Sequence, residues 1–142
     1  MRQQLLEEAD YRCGYCLSTE VLSGIPLTVD HILPIASGGS DEIDNLWMAC
    51  RPCNEIKGVQ TESKDVESGE TVPLFNPRFQ SWREHFEWDE TGTIIIGKTS
   101  IGRATLSALG LNRDLLVKAR SRWVAAGWHP PDNPIPGFNR LD

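Results

Sequence analysis

The amino-acid sequence predicts an α+β fold built from two units. In the first unit, a strand, a loop, a second strand and a helix follow one another between and beside two Cys-x-x-Cys pairs. In the second unit, a hairpin pattern precedes two amphipathic helices. Residues 60–81 are polar and interrupted by Pro and Gly, so we expect the units to span 1–60 and 61–142.

The first unit has four predicted elements. A short helix is expected over 2–12, where leucines and acidic residues are interspersed. Residues 27–32 are rich in β-branched side chains and predict a strand, and 45–50 predicts its partner after a Gly- and Ser-rich loop. A second helix is expected to begin at Asn54, whose side chain suits the N-cap position.

The second unit is predicted to hold a hairpin and two helices. Its strands are 86–88 and 93–96, joined by a turn that contains glycine. The helices are 101–109 and 113–126, each followed by a glycine that can end it. Asn112 is the expected cap of the second helix.

The last predicted helix carries one apolar face that we assign to the core. Its residues lie at helical spacing: Leu115, Leu116, Ala119, Trp123 and Ala126. Four tryptophans are also expected in the core of the second unit, and not as platforms for stacked bases: Trp82, Trp88, Trp123 and Trp128.

Charge is divided unequally along the chain. The net charge is −6, with −8 over residues 1–70 and +2 over residues 71–142. An acidic chain argues against a protein that coats nucleic acid through bulk charge. Basic residues near the C-terminus are the candidate phosphate contacts, with a solvated helix surface as the competing interpretation: Arg113, Lys118, Arg120 and Arg122.

Composition predicts a soluble, cytoplasmic protein. The N-terminus lacks the apolar segment of a secretion signal, and no stretch is apolar enough to span a membrane. We therefore expect no membrane partner. In a reducing compartment, paired cysteines bind metal more often than they form disulfides.

The four cysteines predict one structural zinc site. They form the pairs Cys13/Cys16 and Cys50/Cys53. Two-residue spacing lets both thiolates of a pair reach one tetrahedral ion, and four thiolates leave no open position for catalysis. A redox-active thiol pair is the competing interpretation, but that chemistry needs only one Cys-x-x-Cys.

A series of spaced motifs lies between and after the cysteine pairs. In order, they are Asp30-His31-Ile32-Leu33-Pro34, Gly38-Gly39, Asp44-Asn45-Leu46 and Cys50-Arg51-Pro52-Cys53-Asn54-Glu55-Ile56-Lys57. Over residues 9–58 the sequence thereby resembles the HNH endonuclease family. The resemblance implies a ββα-metal fold and metal-dependent cleavage of phosphodiester bonds.

The resemblance also implies roles for individual residues. His31 is expected to be the general base, Asn45 to organise the loop between the strands, and Asp30 and Asn54 to hold the catalytic metal. Asn54 stands where the letters H-N-H would place a second histidine. Its oxygen and that of Asp30 suit Mg²⁺ or Mn²⁺ better than nickel or zinc.

The residue types independently suit hydrolysis. Attack on a phosphodiester needs a base for water and a cation against the developing charge. Histidine changes charge near neutral pH, so His31 suits the base, with a half-buried structural histidine as the alternative. Asp30 points to the opposite face of a regular strand, so both reach one site only if a bend or bulge follows Asp30. Arg51 and Lys57 are further candidate phosphate contacts, or partners of neighbouring acids.

The sequence therefore predicts a metal-dependent endonuclease with DNA as the expected substrate. The alternative is a zinc-containing module that binds nucleic acid without cleaving it. The acidic N-terminal half favours that alternative, whereas the intact set of Asp30, His31 and Asn54 disfavours it. One such site cuts one strand, so cleavage of both strands would call for a homodimer, which the sequence leaves open.

Overall fold

The computed structural model describes residues 1–131. Its helices are α1 (Arg2–Glu8), α2 (Glu20–Ser23), α3 (Arg51–Lys57), α4 (Trp82–His85), α5 (Ser100–Leu109) and α6 (Asp114–Ala125). Its strands are β1 (Thr28–His31), β2 (Leu46–Ala49), β3 (Glu62–Lys64), β4 (Thr71–Pro73), β5 (Phe86–Trp88) and β6 (Ile95–Gly97). The strands pair in chain order as three antiparallel hairpins. The α+β class is confirmed, and none of the described helices has the length and apolarity that crossing a bilayer requires.

Strands β1 and β2 and helix α3 form the expected strand, loop, strand and helix unit. The pairing is regular, with Asp30 opposite Trp47 and His31 opposite Leu46. Strand β2 is buried along its whole length, since α1 packs against it. Helix α3 begins two residues after β2 ends and packs back onto β1. This arrangement places the motif residues of β1 directly beside those of α3.

Helix α3 begins earlier than predicted. Cys50 is its N-cap, and the Cys50 Sγ accepts a hydrogen bond from the Cys53 N–H at 3.4 Å. Pro52 sits in the first turn, where its missing N–H leaves no intrahelical bond unmade. The prediction that Asn54 caps the helix is therefore wrong. Asn54 lies one turn inside α3, and its N–H donates to the Cys50 carbonyl at 3.0 Å.

The β5–β6 hairpin, α5 and α6 follow the predicted order, but the β3–β4 hairpin and α4 were not predicted. Helix α5 ends at Gly110, which is in the left-handed conformation at φ 60°. The prediction that Asn112 caps α6 is wrong, since Arg113 occupies the N-cap position. Asn112 instead exchanges two hydrogen bonds of 2.8 Å with the Ile95 backbone. Because the Asn112 side chain is hydrogen-bonded to β6, it does not cap the first turn of α6.

The apolar face of α6 differs from the predicted one. Leu115 is 80% exposed and Ala126 is also exposed, whereas Trp123 is buried. Arg120 is fully buried on this helix because its guanidinium donates to backbone carbonyls of the hairpin and of the α5–α6 turn. Hydrogen bonding, which helical spacing does not reveal, thus decides which side of α6 faces inward. Trp128, expected in the core, is 65% exposed.

One hydrophobic core runs through both predicted units. Buried residues of α1, β2 and the cysteine knuckles share a cluster with those of β5, β6 and α5. The Trp82 indole of α4 donates to the Tyr15 carbonyl at 2.8 Å. The Arg78 guanidinium donates to the Leu46 carbonyl and to the Glu8 carboxylate. The division into 1–60 and 61–142 stays a prediction, and residues 132–142 lie outside the described part.

Candidate zinc centre and active site

The four cysteine sulfurs converge on one point in the interior. All four are free thiols whose Sγ atoms lie within 4.8 Å of one another. A tetrahedral zinc ion with Zn–S bonds of roughly 2.3 Å places its sulfurs about 3.8 Å apart. The Sγ atoms of Cys16 and Cys50 are separated by 3.6 Å. The donor set therefore fits zinc, and within residues 1–131 no other group of three or more His, Cys, Asp or Glu is arranged to hold a metal.

Local backbone geometry prepares this site. The N–H groups of Tyr15 and Cys16 point at the Cys13 Sγ, at 3.4 and 3.5 Å. Gly14 is required between Cys13 and Tyr15, because a Cβ there would lie 2.4 Å from the Trp47 ring. Burial raises the pKa of the Cys13 thiol well above its ordinary value, and the neighbouring thiols raise it further. Four thiolates can coexist there only around a cation.

His31 lies at the partly exposed end of β1. Its side chain is 28% exposed, and its Nε2 lies 2.7 Å from Asp41 Oδ1. A carboxylate on Nε2 favours the tautomer with the proton on that nitrogen, so Nδ1 keeps its lone pair. Nδ1 has no hydrogen-bond partner within residues 1–131. His31 is thus oriented and has a basic nitrogen available to solvent.

Asn45 binds the two sides of the loop between β1 and β2. Its Oδ1 accepts from the Leu33 N–H at 2.8 Å, and its Nδ2 donates to the carbonyls of Leu33 and Ser40, both at 2.9 Å. Gly39 passes so close that a Cβ would lie 1.7 Å from the Leu33 oxygen. The loop carries Asp41 to His31, so the Asn45 side chain helps to position the His31 partner.

Asp30 faces the other side of β1 from His31. Its side chain is 2% exposed, Oδ1 lies 3.2 Å from Lys57 Nζ, and Oδ2 accepts a 2.6 Å hydrogen bond from Tyr15. The expected bend after Asp30 is absent, because pairing with β2 continues regularly through His31. The condition under which Asp30 and His31 would reach one site is therefore not met in this arrangement. Both Asp30 oxygens are already satisfied.

The model of the HNH endonuclease family matches residues 13–60. That segment runs from Cys13 through β1, β2 and α3 to Gln60, three residues beyond the end of α3. Residues 13–60 are an HNH domain. No curated protein and no solved structure matches the chain.

Within the HNH domain, Asn54 lies on the same face of β1 as Asp30. Its Nδ2 donates to Thr28 Oγ1 at 2.9 Å and to the Val29 carbonyl at 3.2 Å. Its Oδ1 has no hydrogen-bond partner among the described residues. Asn54 is therefore not an N-cap and has no hydrogen bond to Asp30 among the described residues, although its amide oxygen is available as a ligand.

The candidate phosphate contacts separate into exposed and buried groups. Arg51 is exposed and pairs with Glu55 on the HNH-domain helix, and Lys118 and Arg122 are exposed on α6. Lys57 and Arg120 are buried and bonded to backbone carbonyls. Their burial and hydrogen bonds argue against a contact with phosphate on the surface.

Arg113 also departs from its predicted role. Its guanidinium turns inward and lies 3.6 to 3.7 Å from the sulfurs of Cys50 and Cys53. A side chain directed at the zinc ligands of the HNH domain is not free for a phosphate. In the sequence, Arg113 looks like the other basic residues near it, so the sequence alone did not predict its inward orientation.

Sequence reasoning missed two side chains of the HNH domain that contact predicted site residues. Asp41 is 83% exposed and lies in the Gly-rich loop, ten positions after His31. The available sequence signal was an acidic residue in the loop that joins the two predicted strands. Tyr15 lies inside the first Cys-x-x-Cys pair and caps Asp30, and no sequence pattern pointed to that hydrogen bond.

Proposed function

We propose that this protein is a metal-dependent HNH endonuclease that hydrolyses phosphodiester bonds of DNA with His31 as its general base. The observation that carries the proposal is the state of His31 inside an HNH domain. One ring nitrogen is held by Asp41 at 2.7 Å, and the other is open to solvent. A nucleic-acid-related role follows from the family, whereas cleavage and DNA as substrate are the proposed part.

The chemistry assigns one step to each of these groups. His31 Nδ1 accepts the proton of a water molecule as that water attacks phosphorus. The Asp41 carboxylate orients the ring and stabilises the imidazolium that forms. The water proton ends on Nδ1, the bond from phosphorus to the leaving oxygen breaks, and that oxygen keeps the electron pair and takes a proton from solvent water. The exposed cations Arg51, Lys118 and Arg122 are the proposed contacts to flanking phosphates.

The residues present fit a structural zinc ion but not the catalytic metal at the predicted position. Zinc fits the four cysteines and, when bound, supplies a structural cross-link between the knuckle at Cys13 and the start of α3. The predicted Mg²⁺ or Mn²⁺ site at Asp30 and Asn54 does not fit the observed arrangement, because Lys57 and Tyr15 occupy both oxygens of Asp30. Dependence on a divalent metal stays in the proposal as an implication of the HNH resemblance.

Cleavage of supercoiled plasmid tests the proposal. Purified protein would be incubated with EDTA, Mg²⁺, Mn²⁺ or Ni²⁺, and nicked and linear products read on a gel. We expect nicking with Mg²⁺ or Mn²⁺, and a loss of about 10² to 10⁴ in rate for His31→Ala. Early linear product would support a homodimer. Activity with Ni²⁺ alone would contradict oxygen ligation of the metal.

A matched pair of acidic variants tests the role of Asp41. Asp41→Asn should lower the cleavage rate by a smaller factor than His31→Ala. Asp44→Asn changes an exposed acid of the same loop that has no hydrogen bond to His31, and should leave the rate unchanged. If the folded, zinc-loaded protein binds DNA but cuts under no condition, the non-catalytic binding module replaces the nuclease.

A further inference from the structure

Arg113 joins the second unit to the zinc site of the HNH domain. It sits at the N-cap of α6, sixty residues after Cys53. Its Nη2 lies 3.7 Å from Cys50 Sγ and 3.6 Å from Cys53 Sγ, and its Nη1 lies 3.7 Å from Cys53 Sγ. The guanidinium thus bridges both cysteines of the second pair.

The position of this guanidinium is determined from two sides. Its Nη1 also donates to the Gly110 carbonyl at 3.1 Å and to the Leu109 carbonyl at 3.4 Å. Gly110 ends α5 in the left-handed conformation, which turns these last carbonyls toward Arg113. The side chain is therefore held by the C-terminus of α5 as well as by the sulfurs.

Charge gives this contact a function. A zinc dication with four thiolates carries a net charge of −2, and three of the four cysteines are buried. A guanidinium is planar and offers several N–H groups in a fixed fork, so one side chain can serve two sulfurs. Side chains that hydrogen-bond to metal ligands orient them and raise metal affinity.

We propose that Arg113 is a positioning residue of the zinc site, which holds the Cys50 and Cys53 thiolates and slows the release of zinc. The metal centre of the HNH domain is thereby completed by a residue of the second unit. The proposal is independent of whether the protein cleaves DNA, because it concerns retention of zinc.

The test compares three variants of the full chain. Arg113→Ala removes the fork, Arg113→Lys keeps the charge without the fork, and Arg122→Ala removes an exposed cation of the same helix. Zinc release into excess chromogenic chelator gives a rate, and absorption of the Co²⁺-substituted protein reports on the metal–thiolate bonds. We expect release about 10 to 100 times faster in Arg113→Ala.

The two Arg113 variants and the control have separate expected outcomes. Arg113→Lys should also release zinc faster, with shifted thiolate-to-cobalt bands, since an ammonium group does not bridge two sulfurs. Arg122→Ala should match the wild type in both measurements. Wild-type release and an unchanged cobalt spectrum in Arg113→Lys would overturn the proposal, even if Arg113→Ala failed to fold. Equal acceleration in Arg122→Ala would overturn it as well.

Discussion

Lys57 and Asp30 form an ion pair in which both side chains are buried. Each side chain is 2% exposed, and Lys57 also donates to the carbonyls of His31 and Ile32. Removing one member of a buried pair leaves the other charge without compensation, which costs far more than the pair itself contributes. Lys57 is therefore better described as part of the support beneath β1 than as a phosphate contact.

Lys57→Met should lower the free energy of unfolding by about 3 to 5 kcal/mol, since it leaves the Asp30 carboxylate buried beside Tyr15 alone. Denaturant unfolding of the zinc-loaded protein measures the change. Lys64→Met, at an exposed position of β3, is the surface control and should have little effect. The double variant Asp30→Asn with Lys57→Met should recover much of the loss, and no recovery would contradict the assigned pairing.

The same variant tests Asp30 as a metal ligand. A divalent ion can bind Asp30 only if the Lys57 ammonium leaves, and Lys57→Met removes that competitor. If Asp30 is a ligand, Mg²⁺ or Mn²⁺ should raise the melting temperature of Lys57→Met more than that of the wild type. Equal shifts in the two proteins would place the catalytic metal elsewhere.

The loop between β1 and β2 depends on two adjacent glycines for different reasons. At Gly39, a Cβ would overlap the Leu33 carbonyl at 1.7 Å. At Gly38, φ is +92°, but no atom lies within 4 Å of a Cβ. Gly39 is thus required because there is no space for a Cβ, and Gly38 because the backbone adopts a positive φ.

Gly39→Ala should be the more harmful substitution of the two. We expect it to lower the free energy of unfolding by about 2 to 4 kcal/mol, because the loop must move away from Leu33. Gly38→Ala should cost about 1 to 2 kcal/mol, from backbone strain alone. Thermal or denaturant unfolding of both variants gives the comparison. Equal losses would mean that the close approach to Leu33 relaxes at no cost.

The β3–β4 hairpin is joined to α5 by a carboxylate and a guanidinium. Asp65 accepts from Arg103 Nε at 3.0 Å and from Nη2 at 2.9 Å, and Ser68 donates to it as well. The hydrogen bonds from Arg103 hold the pKa of Asp65 well below its usual range. A depressed pKa stabilises the folded state above the usual carboxyl pKa of about 4, and this stability is lost as the pH falls below it.

Asp65→Asn should therefore destabilise the protein at pH 7 and matter less in acid. The difference in unfolding free energy between wild type and variant should shrink as the pH is lowered from 5 to 3. Zinc release in acid affects both proteins, so their difference isolates Asp65. A difference that stays constant with pH would show that the carboxylate charge contributes nothing.

The cysteines of the candidate zinc site belong to the same buried cluster as the hydrophobic core of the described residues. Cys13, Cys16 and Cys53 are buried members of the same cluster that includes Trp82 and Leu109. Loss of zinc should therefore loosen both predicted units, and not only residues 1–60.

Chelation of zinc should unfold the whole described chain in one transition. Far-UV circular dichroism would follow the helices, while tryptophan fluorescence would report largely on the second unit, which holds four of the five tryptophans. Readdition of zinc should restore both signals. If the fluorescence of the second unit survived chelation while helicity fell in part, residues 61–142 would fold independently.

The cluster of four cysteines and the hairpins β1–β2 and β5–β6 could be predicted from the sequence, whereas the β3–β4 hairpin was missed because residues 60–81 are polar and interrupted by Pro and Gly. The signals of the predicted features are local: a two-residue spacing, β-branched runs and adjacent motif letters each depend on neighbours along the chain. The left-handed end of α5 at Gly110 was predictable for the same reason.

Only the tertiary structure decided which partner each charged side chain meets. Asp30 pairs with Lys57, Arg113 with two cysteine sulfurs, and Asp41 with His31. Arg120 and the exposed Arg122 lie on the same helix, yet hydrogen bonds to the hairpin and the α5–α6 turn bury the first. A long side chain is equally compatible with solvent, phosphate or an interior acceptor, and the choice among them depends on residues 9 to 63 positions away. Such contacts leave no periodic or spaced pattern in the sequence, because they depend on how separate elements pack.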